Sequence, residues 1–270
     1  MKFRVSAAQR AALMTQLAPH LRPDENAGDG AQYPVVSLYF DNEERDCYWE
    51  KARSFPSRRK LRVRVYGSRD GKVPAVAFVE VKHKCEGRGV KRRVQLPLGQ
   101  ALRVGDGLWP EGVHFSETDA RVIREVHDMV LHRRFQPVLV MRYDRTAYAA
   151  ADPQSDLRVT FDSGVRARFD NLTPEPDDRR FEMNGDIHGN GSAVMEVKVT
   201  GCIPYWLSRT IAAAGCRMES HSKYCTALEQ HDPVLRALLS PAWRARRTGG
   251  VADSPSFLPM AAPVLARAAG

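Results

Sequence analysis

The sequence predicts an α+β chain built on an antiparallel sheet. Three observations carry that expectation. At least seven segments alternate apolar with polar or charged residues, the period of a strand with two unlike faces. The helical stretches between them lack the regular β-α-β rhythm of a doubly wound parallel sheet. The charged parity of several strands is nearly all of one sign. If the apolar parity packs against surrounding helices, that charged parity must face an interior cavity. A closed β-barrel permits this, because inward and outward residues alternate and a wide enough barrel keeps a wet lumen.

The densest alternation lies between Lys60 and Leu96. Lys60 to Gly67 places Arg62 and Arg64 on one face and Leu61, Val63 and Val65 on the other. Phe78 to Lys84 places Phe78, Glu80 and Lys82 together, with Val79 and Val81 opposite. In Val90 to Leu96, Lys91 and Arg93 form one parity, and Arg92, Val94 and Leu96 the other. The same alternation would describe an amphipathic sheet with its charged face in water. A solvent face usually mixes signs, and this one is lopsided. The Glu-x-Lys pattern of Glu80 and Lys82 also returns at Glu196 and Lys198.

The remaining elements follow in order. Lys2 to Val5 is a short strand, and Ser6 caps a helix over Ala7 to Leu21 with Leu13, Leu17 and Leu21 on one face. Arg22 to Gln32 is a loop. Val35 to Asp41 is a strand, and Asn42 caps a short helix from Glu43 to about Arg53. Leu98 to Gly112 is irregular. Ser116 and Asp119 are N-cap and N3 of a helix to about Arg134, with Val122, Val126, Met129 and Val130 as its packing stripe. Pro137 to Ala150 is a strand. Asp156 to Asp162 alternates again, placing Arg158, Thr160 and Asp162 on one face, and Ser163-Gly164 turns the chain into Val165 to Phe169. Asp162 is expected to close that turn. Asn171 to Asn190, rich in Pro, Asp and Gly, reads as a mobile surface excursion. Ala193 to Val199 is a strand. Pro204 opens a helix to about Ala214, Ser222-Lys223-Tyr224 starts another, and Asp232-Pro233 a last one to about Arg244. Residues 246–270 form a loosely ordered tail, leaving one folded domain over 1–245.

The chain has 270 residues, 43% of them hydrophobic, enough for one substantial core. It carries 41 Lys and Arg against 32 Asp and Glu, a net charge of +9. That balance favours a polyanionic partner. Cys47, Cys85, Cys202, Cys216 and Cys225 are irregularly spaced and form no C-x-x-C. This argues against a disulfide framework or structural zinc site and for a reducing, cytoplasmic setting. No apolar run is long enough to span a bilayer. Helix-turn-helix, RNP and zinc signatures of sequence-specific nucleic-acid binding are absent. Single-strand binders interleave aromatics with cations, whereas these strands carry mostly aliphatic neighbours, with Tyr66 and Phe78 the exceptions. His83, His114, His127, His132, His188, His221 and His231 are scattered and expected in surface or helix roles.

Seven motifs then occur in a fixed order. They are Ser37-Leu38-Tyr39-Phe40-Asp41-Asn42, Leu61 to Gly67, Val79-Glu80-Val81-Lys82, Arg145-Thr146-Ala147-Tyr148, Leu157 to Asp162, Glu196-Val197-Lys198 and Ser222-Lys223-Tyr224. The set, spanning about Lys2 to Leu228, resembles the VTC domain, the polyphosphate polymerase branch of the triphosphate tunnel metalloenzymes (the CYTH-like superfamily). The resemblance implies a closed antiparallel tunnel of about eight strands. It also implies ATP-dependent growth of a polyphosphate chain with Mn²⁺ or Mg²⁺ as cofactor.

Carried over by motif, the resemblance implies a catalytic set of Arg62, Arg64, Lys82, Arg145, Arg158 and Glu196. Lys2, Lys91, Arg93, Lys198, Ser222 and Lys223 would join its cations in binding phosphate. The ligand assigned to Lys91 falls on Lys91, Arg92 or Arg93. Glu196 would hold the metal, while Glu80 either orients a neighbouring Lys or assists the metal. The E-x-E-x-K signature of the wider superfamily is absent from the first strand, which argues against signature-bearing cyclase or triphosphatase chemistry. ATP and polyphosphate or triphosphate are the implied partners, and any export role would need a membrane protein partner. Two alternatives stay open: a tripolyphosphatase or nucleoside triphosphatase of the same fold, and a non-catalytic module binding polyphosphate or nucleic acid.

Overall fold

Nine strands form a single antiparallel sheet, seen in a computed structural model that describes residues 1–25, 32–67, 74–189 and 191–239. The strands are β1 (Lys2–Val5), β2 (Leu21–Pro23), β3 (Gln32–Asp41), β4 (Ser57–Tyr66), β5 (Val76–Cys85), β6 (Arg88–Pro97), β7 (Gln136–Ala150), β8 (Arg158–Arg168) and β9 (Ala193–Lys198). Their order is β1-β9-β8-β7-β3-β4-β5-β6, with β2 paired to β7. The antiparallel α+β class expected from the alternation is therefore the one observed.

The expected closure into a barrel is not made by the backbone ladder. Among the described residues no pairing joins β1 to β6, and these two strands are the sheet's edges. Length and charge give the reason. β1 has four residues against ten in β6. β6 also presents Lys91 and Arg93 on the face that carries Lys82, so an approaching β1 would bring Lys2 to like charges, and like charges opposed across strands are destabilising. The sheet nevertheless curls: Lys82 on β5 lies within electrostatic range of Glu196 and Lys198 on β9.

Helices cover the outer, apolar face. Ser6 caps α1 (Ala7–Leu17) in a reciprocal capping box with Gln9. Leu13 and Leu17 of α1, with Leu207 and Ile211 of α5 (Tyr205–Ala213), pack on Phe3, Val5, Val159, Phe161, Met195 and Val197. Full burial of such side chains is worth about 1.5–3 kcal/mol each. At the other half of the sheet lie α3 (Leu98–Gly105) and α4 (Glu117–Leu131), the latter burying Val122, Ile123, Val126 and Met129. Gly105 ends α3 against the Phe40 ring, where a Cβ would come within 2.6 Å of the aromatic carbons. Short helices α2 (Asp46–Ala52) and α6 (Lys223–His231) complete the unit Met1–Asp232. A second unit begins at Pro233 with α7 (Pro233–Leu239). The expected boundary at 245 and the tail 246–270 lie outside the described residues.

Several local expectations change. α1 stops at Leu17, and Leu21 begins β2. Leu98 to Gly105, read as irregular, is helical. α2 starts at Asp46, because Arg45 takes the left-handed conformation and Asn42 Oδ1 accepts from the Asp46 N–H at 2.9 Å. Ser163-Gly164 does not end a strand. β8 runs through it with Gly164 at φ +60°, and the β7–β8 register slips between Arg142 and Asp144, the signature of a bulge. The segment 171–189, expected as an excursion, contains a 3₁₀ turn over Arg179–Met183 and buries Phe181 and Ile187. No helix among the described residues is long and apolar enough to cross a membrane.

Candidate functional site

Cross-strand register assembles the cation-bearing parity into one continuous face. Tyr39, Arg62, Glu80 and Arg93 form a row across β3, β4, β5 and β6. Lys60, Lys82 and Lys91 form the next row toward one end, and Ser37, Arg64 and Phe78 the next toward the other. In the other half, Tyr33 faces Arg145, Arg145 faces Asp162, Thr160 faces Glu196, and Glu196 faces Lys2. Arg158 pairs with Lys198. On the opposite parity Leu61, Val63, Val79 and Val81 are fully buried. Burying that parity under helices is what commits the charged one to the sheet's other face.

Two buried carboxylates each hold two cations. Arg62 donates from Nε to Glu80 Oε2 at 2.6 Å, with Nη2 also 2.6 Å from that oxygen, and Lys91 Nζ lies 3.5 Å from Oε1. Burial opposes the Glu80 charge, but Arg62, Arg64 and Lys91 overcome it and bring the carboxyl down to about 2. Arg145 donates to Asp162 at 2.7 and 2.9 Å, and Lys223 Nζ donates to the same carboxylate at 2.6 Å. Burial again works against the charge, and Lys223 with Arg145 holds Asp162 well below the ordinary carboxylate range. Glu196 differs. Its nearest salt-bridge partner, Lys198 Nζ, is 4.0 Å away, and a quarter of its side chain is exposed. Burial opposes its charge too, and Lys198, Lys2 and Arg145 lower it overall.

Helix α6 closes one end of this face. Its N-cap Ser222 Oγ accepts from the Cys225 N–H at 3.4 Å and from Lys60 Nζ at 3.2 Å. Tyr224 donates its hydroxyl to Asp41 Oδ2 at 2.5 Å, and Lys223 reaches Asp162. Lys2 Nζ is 3.5 Å from the His221 carbonyl. His221 and His188 meet Nε2 to Nε2 at 3.2 Å. Burial disfavours their charged forms, with help from Lys223 and Arg4, and brings His188 to about 3 and His221 to about 4. The face thus carries its positive charge on Arg and Lys.

The expected residues Lys2, Arg62, Arg64, Lys82, Arg145, Glu196, Ser222 and Lys223 all come together on or beside this face. Arg64 is buried, donating to Ser37 Oγ and to the Tyr143 hydroxyl at 3.1 Å each. Lys82, Lys91 and Arg93 share the face on its open side and are exposed. Arg92 points the opposite way and forks onto Glu125 of α4 at 2.6–2.9 Å. The choice among Lys91, Arg92 and Arg93 therefore narrows to Lys91 and Arg93. Arg158, with Lys198 across from it, lies at the margin, its Nε 2.9 Å from the Asp24 carboxylate. Asp162 closes no turn; it joins Arg145 to Lys223.

The sequence reading passed over Lys60, Tyr39, Tyr143 and the His188–His221 pair. Lys60 shares parity with Arg62, and Tyr39 with Ser37, so their face was legible. The histidines, 33 residues apart in sequence, offered no local signal.

A divalent cation fits Glu196 best. Glu80 and Asp162 are already neutralised by close cations, whereas Glu196 is a hard, partly exposed carboxylate without a short ion pair. Among the described residues no group of three or more His, Cys, Asp or Glu side chains converges. Mg²⁺ and Mn²⁺ tolerate this, since they are commonly bound by one or two carboxylates together with substrate phosphates and water.

The sequence profile of the VTC domain matches residues 1–231. No curated protein matches the sequence. Among solved structures, a candidate adenylate cyclase from Bacillus halodurans is similar at 14% identity and TM-score 0.47, covering 83% of this chain and 92% of its own. A second candidate adenylate cyclase, from Vibrio parahaemolyticus, has 9% identity and TM-score 0.36, covering 82% and 94% respectively.

Proposed function

Since this chain belongs to the VTC domain family, we propose that it transfers the γ-phosphoryl group of ATP to the end of an inorganic polyphosphate chain. ATP plus a chain of n phosphates gives ADP plus a chain of n+1. The observation that carries this reading is the array of Arg and Lys side chains on one sheet face, positioned by buried Glu80 and Asp162. Phosphoryl transfer needs positioning and charge neutralisation more than a covalent nucleophile. The attacking group is a terminal phosphate oxygen, already an anion, so no general base is required.

The residues divide the work by geometry. Arg62 and Arg145 are braced by carboxylates and present guanidinium groups on the charged face, where a fork matches two phosphate oxygens. Arg64 adds fixed charge behind them. Lys2, Lys82, Lys91 and Arg93 supply mobile charge along the chain's path, Lys223 adds charge held in place by Asp162, and Arg158 and Lys198 lie at its margin. Lys60, Ser222 and Tyr224 fix α6 at one end of the face. Held at Glu196, Mn²⁺ or Mg²⁺ would neutralise phosphate oxygens and raise the electrophilicity of the transferred group.

Incubating the purified protein with ATP and MnCl₂, followed by gel analysis and ³¹P NMR for internal chain phosphates, tests this directly. Chain phosphates with stoichiometric ADP are expected. Orthophosphate as the sole phosphate product would replace polymerisation with triphosphate hydrolysis on the same face.

A further inference from the structure

Three aromatic side chains stand among the cations at the end of the face away from α6. Tyr33, Tyr66 and Phe78 share the parity of Arg62, Arg64, Arg145 and Glu80. Tyr66 is six residues along β4 from Lys60, which bonds to α6; that is roughly 20 Å at the strand rise. The Tyr33 and Tyr66 ring centroids are 6.1 Å apart, and those of Tyr66 and Phe78 are 5.6 Å apart. The Arg93 guanidinium lies 4.7 Å over the Phe78 ring, and that of Arg64 5.9 Å from the Tyr66 ring. All three rings are half-buried, so each keeps an accessible part. Tyr33 is directly across from Arg145.

Charge neutralisation does not explain this group. A face that only binds phosphate needs cations and hydrogen-bond donors; the two tyrosine hydroxyls could serve it, but the clustered ring faces, Phe78 above all, add nothing to phosphate binding. Aromatic faces beside Arg suit a different ligand part: a flat heteroaromatic ring attached to the phosphates. Every base has a π-face, so stacking tolerates base identity, and Arg adds cation–π attraction. Purines, with the larger ring, should gain more than pyrimidines.

We propose that Tyr33, Tyr66 and Phe78, with Arg93, form a stacking platform for the nucleobase of the nucleoside triphosphate donor. The donor's phosphates then run along the face from Arg64 and Arg62 toward α6. The platform rests on the triphosphate-binding reading and adds to it which mouth takes the nucleoside and which class of base it favours.

Titration calorimetry of the full chain with ATP, CTP and tripolyphosphate tests it without any turnover. Wild-type protein should bind ATP more tightly than CTP. Tyr66→Leu should weaken ATP binding roughly tenfold while leaving tripolyphosphate within about twofold of wild type. Equal losses for ATP and tripolyphosphate, or no loss for either, would overturn the platform and leave the triphosphate site standing. Wild-type protein that binds neither ligand would overturn both. Should Tyr66→Leu fail to fold, wild-type protein still decides: 2-aminopurine riboside triphosphate is quenched on stacking. Quenching on saturation supports the platform, and unchanged emission with the triphosphate bound refutes it.

Discussion

Arg62 and Glu80 face each other across β4 and β5, with two guanidinium nitrogens 2.6 Å from a single carboxylate oxygen. Glu80 is almost fully buried, and Arg62 keeps about a fifth of its side chain accessible (19%). The carboxylate therefore works from behind, fixing the guanidinium while its outer edge stays open. A cation held this way loses little rotamer freedom when an anion arrives.

Glu80→Gln keeps the shape and strands Arg62. Breaking a buried pair typically costs about 3–5 kcal/mol, so chemical denaturation should give a loss of that order. Tripolyphosphate should recover part of it by replacing the missing negative charge. The pH dependence follows from the lowered carboxyl. Stability from a depressed carboxyl is present above its ordinary value, 4.5, and is lost as pH falls toward about 2. Acid unfolding of wild type should therefore steepen below pH 4.5, and the variant's profile should be flatter there. The same pairing implies that Arg62→Ala destabilises the fold, because it would leave Glu80 buried without its main partner.

Asp162→Asn should uncouple Arg145 from Lys223 and so loosen α6 from the sheet. The bonds lost are at 2.6–2.9 Å, and all three side chains are largely buried. Amide hydrogen exchange should rise in α6 more than in β3 and β7. Tripolyphosphate affinity should fall by tenfold or more, because two phosphate-facing cations lose their positions. Exchange raised uniformly over the whole sheet would instead mark Asp162 as a general stability element.

Glu196→Gln should behave differently from both. Its ion pair to Lys198 is 4.0 Å long, and Lys198 is mostly exposed, so stability should change by only a few tenths of a kcal/mol. Metal-dependent turnover should collapse, while tripolyphosphate binding without metal persists on the Arg and Lys set. Near-normal turnover at limiting Mn²⁺ would move the metal site elsewhere.

Triphosphate affinity should fall between pH 7 and 9. Burial lowers Lys2 from 10.5 to about 8; Glu196 opposes that shift, and Lys223 and Lys82 add to it. Tyr39 also lies near 8, because Arg62 and Arg64 overcome the opposing effect of its burial. Raising pH through 8 removes a positive charge from Lys2 and adds a negative one at Tyr39, and both weaken anion binding. Lys2→Arg should remove the first contribution and Tyr39→Phe the second, each flattening the slope seen by calorimetry. A double variant with an unchanged slope would refute the assignment.

Sequence determined which residues share the working face, because a strand's period of two is local and survives any tertiary arrangement. Alternation alone placed Arg62 with Arg64, Glu80 with Lys82, Arg158 with Asp162, and Arg92 opposite Lys91 and Arg93. It also made the chain antiparallel and strand-rich. Caps such as Ser6 and Ser116 were legible for the same reason, since a side chain bonding three residues ahead needs no distant partner.

Tertiary structure decided everything that depends on which elements meet. Ser222 reaches Lys60 across 162 residues and Lys223 reaches Asp162 across 61, contacts set by loop paths that no short-range pattern encodes. It turned Asp162 from a turn residue into a counter-ion, through a bulge at Gly164 that carries β8 onward. Among the described residues it left β1 and β6 unpaired with each other, because a strand of four residues and a face of like charges do not complete a ladder. Charge alternation reveals that a cation lies on a face, whereas the buried carboxylate that holds it in position is chosen only when the sheet curls and the helices dock.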